Sequence, residues 1–230
     1  SFAIDPDRTV PQNPVCVALR LDRPNRSATQ TACGRTGRRM RQGCGCDTGK
    51  MSPDASTVVD RARAVADSVL FPRAQDVDRG LVRVEHGLRA LADDGLFGIA
   101  GPATHGGIDL DVRTARRVVA AVSSGCGATF FVWVQHLGVV RSLRASGNDS
   151  LVDDLLASMC SGELIAGVAF AHARRPGPPA VRATPLPDGR WRLDGHAPWV
   201  TSWGIADWFC VAAESEAGEL VWTMIPGSAP

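Results

Sequence analysis

The stretch Gly189–Ala213, GRWRLDGHAPWVTSWGIADWFCVAA, holds four of the chain's six tryptophans. It reads as two short strands joined through a polar turn, with the indoles gathered around one Thr-Ser pair, Thr201 and Ser202. Asp188-Gly189 between two strand-like runs is a hairpin signal, because both residue types tolerate the backbone that a tight turn demands. Indoles concentrated beside a short polar turn raise the expectation of something flat seated against them.

Outward from this hairpin, the two-residue period runs from Glu163 to the end. LIAGVAFAHA, AVRATPL, RWRLDG, ADWFCVAAE and ELVWTMI are strand-like, punctuated by Pro176–Pro179 and by the Asp188-Gly189 turn. Between Met51 and Glu163 the apolar residues recur every three to four positions, which predicts five helices. The first opens on Ser and Asp capping candidates, the second stops at Gly95, and the fifth is capped by Asn148 or Asp149. The fourth, from Ala128, is nearly all apolar and reads as buried. Helices followed by strands give an α+β chain: an all-α domain over 51–162, then a small antiparallel β-barrel or sandwich over 163–230.

Residues 1–50 have another texture. They carry nine basic against four acidic residues, whereas the remainder carries sixteen against twenty. They contain four of the seven cysteines, few large apolar residues and no periodicity. A zinc knuckle around Cys44 and Cys46 would need four ligands in paired spacing, and this segment offers no His and no second close Cys pair. The expectation is a disordered or non-native upstream tail, with the ordered protein starting at Met51. Neither a nucleic-acid partner nor a metal is expected.

No uninterrupted apolar run reaches the roughly 18 residues of a membrane span; Gln135 and His136 break the best candidate, Ala128 to Val140. With no signal-peptide pattern, a cytoplasmic protein is the default. Cys126, Cys160 and Cys210 lie in apolar elements without metal or disulfide spacing, as in a reducing compartment. His136, inside the buried helix, reads as structural.

The order of these parts resembles the acyl-CoA dehydrogenase superfamily over about residues 55–226. LRALADDGLFGIAGPATHGGIDLD is similar to the family's helix end and Gly-Gly loop. HLGVVRSLRASGNDSLVDDLLASMCSGELIAGVAF is similar to its buried helix, docking helix and first strand. DGRWRLDGHAPWVTSWGIADWFCVAA is similar to its hairpin ending in Trp-Ile-Thr, the most specific of the three matches. The resemblance implies an FAD-dependent oxidoreductase that desaturates an acyl-CoA-like thioester, a homo-oligomer when full length, passing electrons to an electron-transfer flavoprotein or to oxygen. Its flavin-facing residues carry over to Phe170, Ala171, His172, Trp199, Val200, Thr201 and Ser202. Trp199 would pack on the isoalloxazine, and the Thr201 hydroxyl or backbone would bond near its N5. Trp191 and Trp208, mid-strand, read as sheet core; Trp203 is open between the two roles.

The sequence also departs from the pattern. FAHARRPGPPAV, residues 170–181, lacks the family's Thr, Gly-Ser and Asp. His172 either replaces the lost hydroxyl or is a solvent-facing strand end, and Arg174 and Arg175 either meet a phosphate or are simply solvated. Ala197-Pro198 stands where a Lys is usual. The family's C-terminal four-helix domain, with its general-base glutamate, has no match, so no catalytic residue is named. The chain as written is expected to hold FAD weakly or not at all, and not to turn over an acyl-CoA. Two other readings stay open: a flavin-dependent monooxygenase or oxidase on the same scaffold, or a remnant that has lost the cofactor.

Overall fold

Helices come first and a sheet follows, as the change of period predicts. The computed structural model describes residues 17–19, 53–187 and 189–228. Helix α1 (Pro53–Val65) runs through a π-turn over Ala66–Leu70 and a 3-10 turn over Phe71–Arg73 into α2 (Ala74–Asp78). Pro72 is the physical cause: it has no N–H to donate and its ring crowds the preceding turn, so the regular ladder loosens around it.

Helix α3 (Glu85–Asp93) ends before Gly95, and the apolar residues beyond it form a short 3-10 turn over Leu96–Ala100. Helix α4 (Val112–Ser123) is started by Asp111, whose carboxylate accepts from the amides of Arg113 and Thr114 at 2.9 and 3.0 Å. The Thr114 hydroxyl and amide together hold the Asp111 carboxyl below its ordinary range. Helix α5 (Gly127–Arg144) buries residues on most sides of its axis, which is why its sequence is apolar nearly throughout. Asn148 caps α6 (Asp149–Ser161), accepting from the Leu151 amide at 3.1 Å. Gly162 then closes that helix at φ +81°, and a Cβ there would lie 2.7 Å from that of Ala92.

Among the described residues, six strands form one sheet: β1 (Val17–Leu19), β2 (Ala166–Ala169), β3 (Val181–Pro185), β4 (Trp191–Gly195), β5 (Trp208–Ser215) and β6 (Leu220–Pro226). The order is β1-β6-β5-β3-β4, with β2 also on β5. The α+β class stands, but the sheet is mixed where antiparallel pairing was expected: β2 and β3 both run parallel to β5. Hairpin signals report only local turns. The β2–β5 pairing is fixed instead by Asp207, whose carboxylate accepts from the Ile165 amide at 2.9 Å and whose own N–H donates to the Ile165 carbonyl at 2.8 Å. Strand β2 also stops at Ala169, and Ala171–Arg174 make a 3-10 turn.

Of residues 1–50, only Val17–Leu19 are described, pairing antiparallel with Trp222–Met224. The expectations of a tail and of no metal site around Cys44 and Cys46 lie, for the rest of that segment, outside the described residues.

One core runs through both halves. The side chains of Val58, Leu88, Val118, Trp133, Leu137 and Leu156 from the helices are continuous with Ala166, Val168, Cys210 and Met224 of the sheet. Strand β5 is covered on both faces, since Phe209 and Val211 pack in a second cluster with Ala169. That double burial explains its unbroken apolar run.

Candidate functional site

The end of β2, the turn after β4 and one face of α5 meet around a cleft of about 120 Å³. Phe131, Gln135, Val168, Phe170, Ala171, Trp199 and Thr201 line it. Four of the seven residues expected to face a ligand are therefore brought together: Phe170, Ala171, Trp199 and Thr201.

Thr201 anchors the turn. Its hydroxyl oxygen accepts from the Val168 amide at 3.0 Å, and its own amide donates to the Val168 carbonyl at 2.9 Å. The hydroxyl proton reaches the same carbonyl at 3.4 Å. That last bond is long and weak, so the proton remains at the disposal of a better acceptor in the cleft. The turn sits against β2 because Gly167 has no side chain: a Cβ there would lie 2.5 Å from the Thr201 carbonyl oxygen and 2.8 Å from the Phe209 ring.

Pinned in this way, the turn presents its indoles outward. Trp199 is 61% exposed and Trp203 75% exposed. The latter stacks on Phe209, ring centroids 5.8 Å apart and 27° between planes. Large indoles this open are uncommon on a folded surface and mark a place where something else packs. Trp191 and Trp208 are half-buried against the core clusters and act as sheet filling, although both begin their strands rather than sit inside them. Val200 packs under the turn with Phe209 and Val211. Phe170 closes the other wall, edge-on to Trp222 with centroids 5.4 Å apart.

Two polar groups nearby are left over. Ser202 has a left-handed backbone, φ +60°, and its hydroxyl is buried without a partner. Its carbonyl accepts from the Ile205 and Ala206 amides, closing the loop that carries Trp203. His172 is buried, not solvent-facing, and is not a lining residue of the cleft. Its Nε2 donates to the Ala212 carbonyl at 2.6 Å, which leaves Nδ1 buried with no partner. Arg175 is exposed.

His136 lies fully buried on the neighbouring α5. Its Nδ1 accepts from the Ala166 amide at 3.0 Å, so Nε2 carries the proton and donates to the Met159 carbonyl at 3.0 Å. Burial pushes its pKa down to about 4 despite the Met159 bond. This neutral imidazole ties α5 to α6 and to β2, and both its nitrogens are spent on structure. Cys126, Cys160 and Cys210 are buried free thiols; burial raises Cys210 to about 12. Among the described residues no group of three His, Cys, Asp or Glu is placed to hold a metal, and no helix is long and apolar enough to cross a membrane.

Sequence reasoning missed Val168 and the α5 wall. Phe131 and Gln135 are four residues apart, on one face of the helix. The signal was the Gln135-His136 pair interrupting an otherwise apolar run.

Comparison with known proteins agrees with the fold. Residues 52–163 match the family model described as the acyl-CoA dehydrogenase N-terminal domain. A probable acyl-CoA dehydrogenase of Mycobacterium leprae is 30% identical over 158 residues, 67% of this chain but 40% of that protein. The chain thus spans under half the length of this relative. Butyryl-CoA dehydrogenase from Megasphaera elsdenii has the same fold over 78% of this chain and 50% of its own, with TM-score 0.70 and 16% identity. PigA with FAD and proline aligns over 79% of this chain and 50% of its own, with TM-score 0.64 and 24% identity.

Proposed function

The chain belongs to the acyl-CoA dehydrogenase superfamily, and from that premise we propose that the cleft beside Trp199 is one wall of a flavin and substrate site. The reaction proposed is α,β-dehydrogenation of an acyl thioester, with FAD as cofactor and an electron-transfer flavoprotein as one acceptor. The observation that carries the reading is the exposed face of Trp199 above a cleft also lined by Phe170, Ala171 and Thr201.

The residues present suit FAD. The cleft is apolar, an indole stands open for a planar ring to cover, and Ser202 offers a buried hydroxyl that no protein group uses. When bound, FAD would supply the redox chemistry by accepting a hydride. The chain's part would be to hold and orient it: Trp199 would pack on the ring system, Thr201 and Ser202 would donate hydrogen bonds to its polar edge, and Phe170 and Phe131 would exclude water.

The test is flavin fluorescence quenching by the 230-residue chain. Saturable though weak quenching is expected, reduced in Trp199→Ala and kept in Trp191→Ala. No saturable binding, or equal binding by the two variants, overturns the assignment. A second reading, a flavin-dependent monooxygenase or oxidase, draws support from the likeness to PigA, whose structure contains proline rather than a thioester. In a flavin-loaded protein that reading predicts peroxide release or an oxygenated product; dehydrogenation predicts acyl-CoA-dependent dye reduction.

A further inference from the structure

Strand β5 is not paired evenly along its two edges. On one edge β6 follows it from Trp208 to Glu214. On the other, β2 leaves after pairing Ala169 with Val211, and β3 joins only where Arg182 meets Glu214. Between them Ala212 and Ala213 have no strand partner on that edge among the described residues. A buried backbone carbonyl in such a seam needs a donor from elsewhere. His172 supplies it: the side chain is buried, and its Nε2 donates to the Ala212 carbonyl at 2.6 Å. At the head of the same turn, Phe170 lies edge-on to Trp222, the residue paired with Ala212 across the β5–β6 ladder. The turn therefore grips one rung of the sheet at two points.

We propose that His172 is a positioning residue: its Nε2–H closes the seam where β2 leaves β5, and so holds Phe170 and Ala171 in the wall of the cleft. The imidazole does not line the cleft and acts through the turn Ala171–Arg174. The seam is a matter of geometry alone, whereas its consequence for flavin rests on reading the cleft as a flavin wall. Donation to a carbonyl fixes the tautomer. Nε2 carries the proton, and Nδ1 is a bare acceptor that no protein group uses. A glutamine amide can stand in for the Nε2–H. A phenyl ring fills the space but leaves the Ala212 carbonyl unpaired, which loosens the turn roughly tenfold.

The experiment compares the full chain with His172→Gln and His172→Phe. Nitrogen-15 NMR of the wild-type imidazole should show the Nε2–H tautomer; the Nδ1–H tautomer overturns the proposal whether or not either variant folds. Within the turn, the Ala173 and Arg175 amides bond the Phe170 and His172 carbonyls. Their hydrogen exchange should be roughly tenfold faster in His172→Phe and near wild type in His172→Gln. Exchange in α5 should stay unchanged, which separates a local role from a general loss of stability. Equal exchange at the turn in all three proteins, faster exchange in α5 as well, or no rescue by His172→Gln overturns the proposal. Flavin quenching on the same samples reads the consequence: it should weaken roughly tenfold in His172→Phe and recover in His172→Gln. A loosened turn with unchanged quenching overturns the role of His172 in the cleft. Absence of quenching in all three proteins removes the flavin reading alone, and exchange at the turn still decides the seam.

Discussion

Thr201 shows how one hydroxyl places a whole turn. It serves the Val168 amide and carbonyl together, and the turn it fixes carries Trp199 and Trp203 to the surface. Thr201→Val fills the same space but strands the Val168 N–H in a buried site. It should destabilise the chain by about 1–3 kcal/mol in a denaturant titration, while Thr201→Ser stays near wild type. Equal midpoints for the two variants would show that the bond contributes little. Gly167 is the complementary half of this joint. Gly167→Ala places a methyl within 2.5 Å of the Thr201 carbonyl oxygen, a contact that only a shift of backbone relieves. The expected cost is about 1–3 kcal/mol, with altered tryptophan fluorescence as the turn moves; a silent substitution would mean that the turn is not held where it stands.

At the scale of elements, the tryptophans divide by burial, and stability should divide with them. Trp191 packs with Val181, Ala183 and Leu193 under the β3–β4 hairpin, so Trp191→Ala removes core contacts and should lower stability by about 2 kcal/mol or more. Trp199→Ala removes an open side chain and should change stability by no more than about 0.5 kcal/mol; comparable losses in thermal melts would contradict the split. The helices, the strands after Glu163 and this division of indoles were legible in the sequence, because each rests on local periodicity or on a motif contiguous in the chain; β1 was not, lying in a segment without periodicity. The parallel pairing of β2 with β5 was not, since it depends on Asp207 reaching Ile165, 42 residues away. For the same reason the α5 wall of the cleft escaped notice. Phe131 and Gln135 become site residues only when the sheet docks on the helix, and a polar pair in an apolar run says nothing about which neighbour it will face. His172 was read as replacing a hydroxyl or facing solvent; its burial against the Ala212 carbonyl comes from the 3-10 turn after β2, which alternation does not encode.

The whole molecule is joined more tightly than its division into an all-α part and a β part suggests. The main core cluster includes side chains from the helices and from β2, β5 and β6, so neither part can bury its apolar surface without the other. Far-UV circular dichroism and tryptophan fluorescence should therefore report one coincident unfolding transition over the described chain; two separated transitions would show that the halves fold apart. His136 stands at that junction, and it makes the junction sensitive to acid. Its folded pKa is about 4 and its ordinary value is 6.5, so between those values the unfolded chain binds a proton that the folded one does not. The contribution of the neutral ring is complete above about pH 6.5 and is lost as pH falls toward 4. The slope approaches about 1.4 kcal/mol per pH unit, and the total reaches about 3 kcal/mol. His136→Asn cannot titrate there. It also reaches less far than imidazole and leaves the Ala166 amide or the Met159 carbonyl unpaired, so it should be less stable at pH 7.5. Its stability should then fall less steeply than wild type between pH 6.5 and 4.5, narrowing the gap between the two proteins as acid is added. Parallel pH profiles for wild type and variant would show that the histidine is not the group that titrates at this joint.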